Sequence, residues 1–364
     1  MCTACPPIPR ATDTDRISAF EQRLVGAFND GALMLMTSVG HRTGLFDTMA
    51  GMTPATSQAI ASRAGLDERY VREWLGAMVC ARVIEHDGVS GTYVLPAEHA
   101  ARLTRAADAN MAVVAQFFAV LGGVEDDIVA CFRNGGGVPY QRFGRFHEVM
   151  AEESGQTVLP ALTTAILPLV SGLIGRLERG IQVLDLGCGR GRAILQLAEA
   201  FPNSSFRGMD LSGDAIAWAR TQAEARGLEN ATFEVRDLSD FDRTAPQGRF
   251  DLVTTFDAVH DQAKPANMLK GIRRALGPDG VYIAQDIKGS SEHSKNLDAP
   301  LGSFFYTISC MHCMTVSLAQ GGDGLGAMWG RELAEQMFRE AGFGTVEVHE
   351  LEHDIQNYYY VCKA

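Results

Sequence analysis

The sequence lacks any run of about 18 uncharged apolar residues, the length that a helix needs to cross a bilayer. Its first residues, 1–16, contain proline and charge but no apolar stretch of the secretory type, so we expect a disordered N-terminus and a cytoplasmic protein. Positive charge is not in excess either, because the net charge is −12. Such a surface repels phosphate groups, which argues against nucleic-acid and anionic-membrane partners.

A disulfide framework is also missing. Eight cysteines are spread over 364 residues, which is typical of reduced thiols. Two close groups need consideration, Cys2 with Cys5, and the stretch 310–313, which contains His312 between two cysteines. A zinc ion shared by both groups is one possibility, but they lie about three hundred residues apart in the chain. We therefore predict no metal site and interpret 304–318 as a buried helix with small apolar cysteines.

Three regions follow the N-terminal residues. Residues 17–100 contain short helices and then a hairpin, and residues 101–179 are helical and rich in loops. From residue 180 to residue 364, strands and helices alternate, which is typical of a doubly wound parallel sheet. The sequence therefore predicts an α/β domain at the C-terminus and a mostly helical domain at the N-terminus.

The first folded region has the pattern of a winged helix-turn-helix domain. A short helix is predicted between Thr56 and Gly65, a second after the capping residue Asp67, and a two-stranded wing over residues 83–95. In a DNA-binding domain the second helix would face phosphates, yet this helix begins with Asp67 and Glu68. We therefore favour a module for dimerisation and for shaping a substrate pocket over a DNA-binding one.

A glycine-rich loop follows the first strand of the C-terminal region. Residues 181–186 form a compact apolar strand that includes Asp185. The loop after it has the sequence Gly187-Cys188-Gly189-Arg190-Gly191. Dinucleotide-binding folds need a third glycine one position later, where this chain has Arg192. The loop therefore favours a nucleoside ligand without a pyrophosphate, and Asp185 favours a cationic one.

Further ligand contacts are predicted at the ends of the next three strands. They are Asp210, Leu211, Asp237, Leu238, Phe256 and Asp257. A carboxylate in the place of Asp210 accepts hydrogen bonds from both hydroxyls of a ribose. Asp237 is suited to an adenine amino group. Because parallel strands bring their carboxyl ends to one edge of the sheet, these residues are expected to form a single site.

Together these motifs resemble those of the class I S-adenosylmethionine-dependent methyltransferases. Residues 185–191 resemble the first motif of that family. The later motifs are matched by Asp210, Asp237, residues 276–280 and the pair of strands 344–350 and 358–363. The resemblance implies a Rossmann-like, seven-stranded domain that binds S-adenosyl-L-methionine. With the winged-helix start, the chain is similar to plant-type small-molecule O-methyltransferases and their bacterial relatives, which implies a homodimer and a small-molecule acceptor.

The same resemblance indicates a catalytic base. Val259-His260-Asp261 is similar to the stretch where plant-type O-methyltransferases place a histidine base. An imidazole titrates near neutral pH, which suits removal of a proton from an acceptor hydroxyl. A histidine that only packs near the cofactor is the alternative. Asp257 is a further catalytic candidate, because either it or Asp286 would orient the imidazole or a substrate, and the sequence does not choose between them.

The middle segment resembles the lid of a bacterial subgroup with no assigned substrate. By that resemblance Tyr140 and His147 contact the cofactor, and an aromatic ring over a sulfonium makes a cation–π contact. The spacing of Phe143 and Phe146 favours core packing instead. The glycine-rich stretch 321–326 lacks the Lys-Ser/Thr of a phosphate loop, so we interpret it as the rim of a pocket.

Two other functions fit the same motifs. One is a winged-helix regulator that senses S-adenosylmethionine. The acidic start of the would-be recognition helix argues against this function. The other is an enzyme that uses the same cradle for chemistry other than methylation, because function depends on the site and not on the fold. We expect O-methylation, with N-, S- or C-methylation left open, and the sequence does not identify the acceptor.

Overall fold

A computed structural model describes residues 13–363 of the chain. Cys2 and Cys5 lie outside the described residues, as does most of the segment 1–16 that we expected to be disordered. The last residues of that segment are helical, since a helix begins at Thr14. The described residues divide into two compact units, one up to residue 119 and one from residue 120 onward, and the finer boundaries at residues 100 and 179 stay predictions.

The N-terminal unit is mostly helical. Its helices are α1 (Thr14–Thr43), α2 (Leu45–Ala50), α3 (Ser57–Ala64), α4 (Glu68–Cys80) and α5 (Ala97–Leu103). A hairpin of β1 (Glu85–Asp87) and β2 (Thr92–Val94) forms the wing, and α6 (Gln116–Gly122) contains the boundary to the next unit.

The two helices of the predicted helix-turn-helix are confirmed with their caps. The Thr56 hydroxyl accepts a hydrogen bond from the backbone N–H of α3, and Asp67 does the same for α4. Their buried faces meet around Trp74, whose ring lies edge-on to Phe46 at 5.3 Å. Apolar residues whose spacing predicted the helix-turn-helix are therefore buried together in the core of this unit.

The C-terminal unit contains a seven-stranded sheet. Its strands are β3 (Gln182–Leu186), β4 (Ser205–Asp210), β5 (Ala231–Val235), β6 (Phe250–Phe256), β7 (Leu276–Ile287), β8 (Thr345–Leu351) and β9 (Asp354–Lys363). Their order is β5-β4-β3-β6-β7-β9-β8, and only β9 pairs antiparallel, with β7 and with β8. The chain order reverses beside β3, which is the place where ligands bind in open α/β sheets. The predicted sheet and its closing hairpin are confirmed.

Helices cover both faces of this sheet. They are α7 (Glu125–Asn134), α8 (Phe146–Ala161), α9 (Leu173–Arg179), α10 (Arg192–Ala200), α11 (Gly213–Ala225), α12 (Phe241–Thr244), α13 (Pro265–Ala275), α14 (Gly302–Ile308), α15 (Met314–Ala319) and α16 (Gly330–Glu340). Alternate residues of each strand enter opposite cores. Val183 and Ile283 belong to one apolar cluster, whereas Leu184 and Tyr282 belong to the other.

The helix predicted over residues 304–318 is confirmed, because helical backbone continues without a break from Gly302 to Ala319. A π-helical turn, Ser309–Cys313, separates α14 from α15. Such a turn changes the direction of the side chains that follow it, and it often occurs at functional sites. Here it buries His312 and Cys313, which are 0% and 3% exposed.

Among residues 13–363, no single helix is long and apolar enough to span a membrane. One bent pair, Phe146–Leu169 with Leu173–Arg179, passes that test jointly at an angle of 107°.

Candidate active site

The loop between β3 and α10 follows a path that requires glycine. Gly187 and Gly191 have φ angles of 68° and 64°, in the left-handed region. A Cβ atom on Gly187 would lie 2.4 Å from the Cβ of Ala258, and one on Gly191 would lie 2.2 Å from the Phe233 ring. No described atom lies within 4 Å of the Cβ position of Gly189. The two ends of the loop, at Gly187 and Gly191, are therefore packed against neighbouring side chains, whereas its middle, at Gly189, is open to a ligand.

Two adjoining cavities lie beside this loop, and most of the predicted cofactor residues line them. The first cavity is lined by Asp185, Gly187, Cys188, Gly189, Phe256 and Asp257 of the predicted set. The second is lined by Tyr140, His147, Gly187, Gly189, Asp210, Leu211, Leu238, Phe256 and Asp257. The structure thus brings together residues from five separate segments of the chain.

Two predicted contacts do not line either cavity. Gly191 precedes α10 and packs against Phe233. Asp237 accepts a hydrogen bond from the backbone N–H of Ser239 at 2.8 Å, so its carboxylate stabilises the turn before α12. A contact from Asp237 to an adenine amino group stays a prediction.

Asp210 connects the tip of β4 to the glycine-rich loop. Its Oδ2 accepts from the backbone N–H of Gly189 and its Oδ1 from that of Ser212, both at 2.8 Å. These bonds hold the carboxylate at the wall of the second cavity. It is therefore preoriented to receive two further donors, such as the hydroxyls of a diol.

Asp185 provides a buried carboxyl group at the wall of the first cavity. Burial raises the pKa of Asp185 to about 7, although a hydrogen bond from the Thr254 hydroxyl at 2.8 Å lowers it. One hydrogen bond offsets only part of the cost of burying this carboxylate. Such a group favours a positively charged ligand, because the ligand stabilises the ionised form of the carboxylate.

Aromatic residues of the lid cover the second cavity. The Tyr140 and His147 rings stack at 4.5 Å, and the Tyr140 hydroxyl lies 3.2 Å from His147 Nδ1. Burial lowers the pKa of His147, against the opposing effect of Asp210. Phe143 and Phe146 are both buried, as their spacing predicted, but Phe146 also lines the second cavity. Met150, which sequence reasoning missed, lines both cavities.

His260 is held by Asp286 and not by Asp257. Its Nδ1 lies 2.6 Å from Asp286 Oδ1, which also accepts from Trp329 Nε1 at 3.0 Å. Asp257 accepts instead from Gln285 Nε2, at 3.1 Å. Neighbouring residues of β7 point to opposite faces of the sheet, so Gln285 and Asp286 cannot serve the same partner. Of the two candidates, Asp286 is therefore the one that orients the imidazole, and a catalytic role for Asp257 toward a substrate stays a prediction.

The second ring nitrogen of His260 lies among further polar groups. Burial alone would lower the pKa of His260, but the carboxylates of Asp286 and Asp261 outweigh it and raise that pKa well above its ordinary value. His260 Nε2 lies 3.3 Å from Asp261 Oδ1. The imidazole therefore has a carboxylate beside each of its two ring nitrogens.

Cys313 joins these two residues in a group that sequence reasoning missed. Ligand atoms of His260, Asp261 and Cys313 lie within 4.8 Å of one another, a spacing that is able to hold a metal ion. This group differs from the alternative considered from the sequence, in which Cys313 would have shared a metal ion with Cys310, His312 and the Cys2/Cys5 pair. No sequence motif links residues so far apart in the chain.

Two domain models match this chain. A model described as "Rv2258c-like winged HTH domain" matches residues 31–105. A model described as "Methyltransferase domain" matches residues 177–342, from α9 to the end of α16.

Two curated relatives carry methyltransferase names. The 2-heptyl-1-hydroxyquinolin-4(1H)-one methyltransferase of Mycobacteroides abscessus is 32% identical over 179 residues, which are 46% of this chain and 74% of the relative. The fatty-acid O-methyltransferase of Mycolicibacterium smegmatis is 29% identical over 109 residues, which are 30% of this chain and 38% of that protein. A solved structure described as "PigF with SAH" has a TM-score of 0.69 at 19% identity and covers 97% of this chain and 100% of its own. That last likeness concerns the fold alone.

Proposed function

Because this chain belongs to the S-adenosylmethionine-dependent methyltransferases, we propose that it methylates a hydroxyl group of a small, partly apolar acceptor. The sulfonium of the cofactor supplies the methyl group and the driving force, so the protein has to align the acceptor and take up its proton. The observation that carries the choice of a hydroxyl is the short hydrogen bond between His260 and Asp286, which prepares an imidazole for proton uptake.

The two cavities fit the two halves of S-adenosylmethionine. The first combines the carboxyl groups of Asp185 and Asp257 with the guanidinium groups of Arg190 and Arg192, which suits an ammonium and a carboxylate on one amino-acid chain. The second combines Asp210 with apolar and aromatic side chains, which suits a ribose and its base. We infer that the donor lies across both cavities, with Gly187 and Gly189 between its halves.

In this arrangement His260 accepts the proton of the acceptor at Nε2. The bond from Nδ1–H to Asp286 selects the tautomer in which Nε2 carries the free lone pair and stabilises the imidazolium that forms. Trp329 donates to the same carboxylate oxygen and keeps Asp286 in place. Asp286 and Trp329 are thus positioning residues, whereas His260 is the proposed catalytic residue.

The acceptor is best sought among amphipathic molecules with an acidic hydroxyl. The Mycobacteroides abscessus relative acts on 2-heptyl-1-hydroxyquinolin-4(1H)-one and the other relative on fatty acids. We expect this chain to produce S-adenosylhomocysteine together with an acceptor 14 mass units heavier when incubated with the first compound and related hydroxylated heterocycles, a CH₂ increment that mass spectrometry detects as about 14 Da. If cofactor binding is confirmed and no hydroxylated member of such a panel is methylated, while amines or thiols are, the hydroxyl assignment fails.

A DNA-binding regulator is disfavoured by the charges of α4. Arg69 pairs with Glu73 and Arg72 pairs with Glu68, each on the same helix. These guanidinium groups are therefore already compensated where a recognition helix would offer them to phosphates.

We also propose that two copies associate through α1. One face of this helix exposes apolar side chains at a spacing of three, four or seven residues. They include Ile17, Phe20, Leu24, Phe28, Leu35 and Val39. Phe28 is 69% exposed and Phe20 58%, which is unusual for aromatic residues of a monomer. A second copy of the same helix presents a matching surface, as a two-fold interface requires.

The double variant Phe20→Glu/Phe28→Glu is expected to be monomeric in light scattering under conditions where the wild type is a dimer. Burying two carboxylates in an apolar contact carries a desolvation cost of several kcal/mol, roughly enough to shift association by orders of magnitude. Arg23→Glu, on an exposed position of the same helix, is the matched control and should remain dimeric. A wild type that is monomeric at high concentration would refute this interface.

A further inference from the structure

A second feature lies beside the second cavity, the group formed by His260, Asp261 and Cys313, here called the His-Asp-Cys trio. The first two residues follow β6, and the third ends the π-helical turn Ser309–Cys313. His260 and Cys313 are 3% exposed, and Asp261 lies at the wall of the second cavity. Methyl transfer as proposed above uses only one member of the trio.

Polar atoms around the trio lack partners. Within residues 13–363, neither ring nitrogen of buried His312 makes a hydrogen bond, and buried Asp261 Oδ1 accepts none, its contact being with His260 Nε2 at 3.3 Å. His312 is fully buried between aromatic rings, stacked on Phe146, with its Nδ1 3.8 Å from Asp261 Oδ2. Buried polar atoms without partners carry a free-energy cost that a bound ligand would relieve.

The donor set of the trio matches zinc. Thiolate, imidazole and carboxylate are the three side-chain ligands of Zn²⁺, and ligand atoms on a tetrahedral zinc ion lie roughly 3.3 to 3.8 Å apart. The trio has all of its ligand atoms within 4.8 Å. Asp286 completes the pattern, because metal-bound histidines commonly donate their other ring N–H to a carboxylate.

We propose that His260 Nε2, an Asp261 carboxylate oxygen and Cys313 Sγ bind one Zn²⁺ ion, with water in the fourth position. The thiol and the imidazolium each release one proton to the solvent when the ion binds. Three protein ligands and one exchangeable position are the arrangement of an open zinc site.

Zinc binding and base catalysis exclude one another at this site. The metal occupies the lone pair of His260 Nε2, which is the atom that would take the proton of the acceptor. Zinc should therefore inhibit methyl transfer reversibly, and this consequence rests on the proposed function. Binding of the ion itself does not depend on it.

The test compares the metal content of the full chain with that of two cysteine variants. Protein stripped with a chelator is loaded with Zn²⁺ and passed through gel filtration, and metal is counted per chain. We expect the wild type and Cys310→Ser to retain one zinc ion more than Cys313→Ser. With Co²⁺ as the probe, a thiolate charge-transfer band in the near ultraviolet should appear in the first two proteins and be absent from the third.

Equal zinc content in all three proteins, or a cobalt band that survives Cys313→Ser, would overturn the proposal. If Cys313→Ser does not fold, as judged by circular dichroism, Asp261→Asn provides the second variant and should bind zinc at least about tenfold more weakly. Turnover of metal-free enzyme tests the base separately. Failure of the zinc site and failure of the proposed function are thus distinguishable.

Discussion

Replacing Asp210 by alanine is expected to weaken S-adenosylmethionine binding by at least about 100-fold. A carboxylate that accepts from two ribose hydroxyls makes two charge-assisted hydrogen bonds of roughly 1.5–3 kcal/mol each. Their sum corresponds to about 10²- to 10⁴-fold in the dissociation constant. The variant also loses the bonds to the Gly189 and Ser212 N–H groups, which loosens the loop that the cofactor contacts. Isothermal titration calorimetry measures the effect directly.

The control for this variant is Asp214→Ala. Asp214 is an exposed acid in the first turn of α11, four positions beyond Asp210, and it lines neither cavity. Its removal changes the net charge equally and should leave affinity within about twofold, as surface substitutions usually do. If folded Asp210→Ala binds the cofactor as tightly as the control, our placement of the ribose is wrong.

Replacing His260 by alanine is expected to lower kcat by about 10²- to 10⁴-fold, the range that a positioned general base contributes. Affinity for S-adenosylmethionine should stay the same, because His260 lines neither cofactor cavity. Asp286→Asn should give an intermediate loss, since it removes the charge that stabilises the imidazolium but keeps a side chain of similar shape. Single-turnover kinetics with a methylated acceptor separate this loss from effects on binding.

His293→Ala is the matched histidine control. His293 lies on the surface in a 3₁₀ turn, away from the hydrogen bond between His260 and Asp286. It should retain the full turnover number. A His260→Ala enzyme that turns over like this control would show that the imidazole only packs beside the cofactor, and the alternative left open by the sequence would then hold.

Most of the cofactor cradle could be predicted from sequence because its signals are local. Asp185 and the three glycines after it lie within residues 185–191, and Asp210 ends one contiguous six-residue strand. The left-handed φ angle at Gly187 and the acidic residue at the end of a buried strand both depend on residues that are neighbours in the sequence. Parallel pairing then necessarily places those strand ends together.

The catalytic arrangement depended on contacts between distant segments. Asp257 and Asp286 are equally plausible partners of His260 in sequence, and only the pleat of β7, which turns Gln285 and Asp286 to opposite faces, decides between them. The same holds for Asp237, whose carboxylate is used by the turn that follows it.

The sequence by itself indicated the family, the cofactor and the alternation of strands and helices, because glycine turns, strand periodicity and acidic strand ends are short-range patterns. Tertiary structure alone decided which carboxylate holds His260 and that Cys313 lies beside it. The π-helical turn Ser309–Cys313 changes the direction of its side chains relative to a regular helix, and no local propensity in residues 304–318 predicts that change. Which distant side chains meet in the core depends on packing and strand register, and these cannot be inferred from the order of residues along the chain.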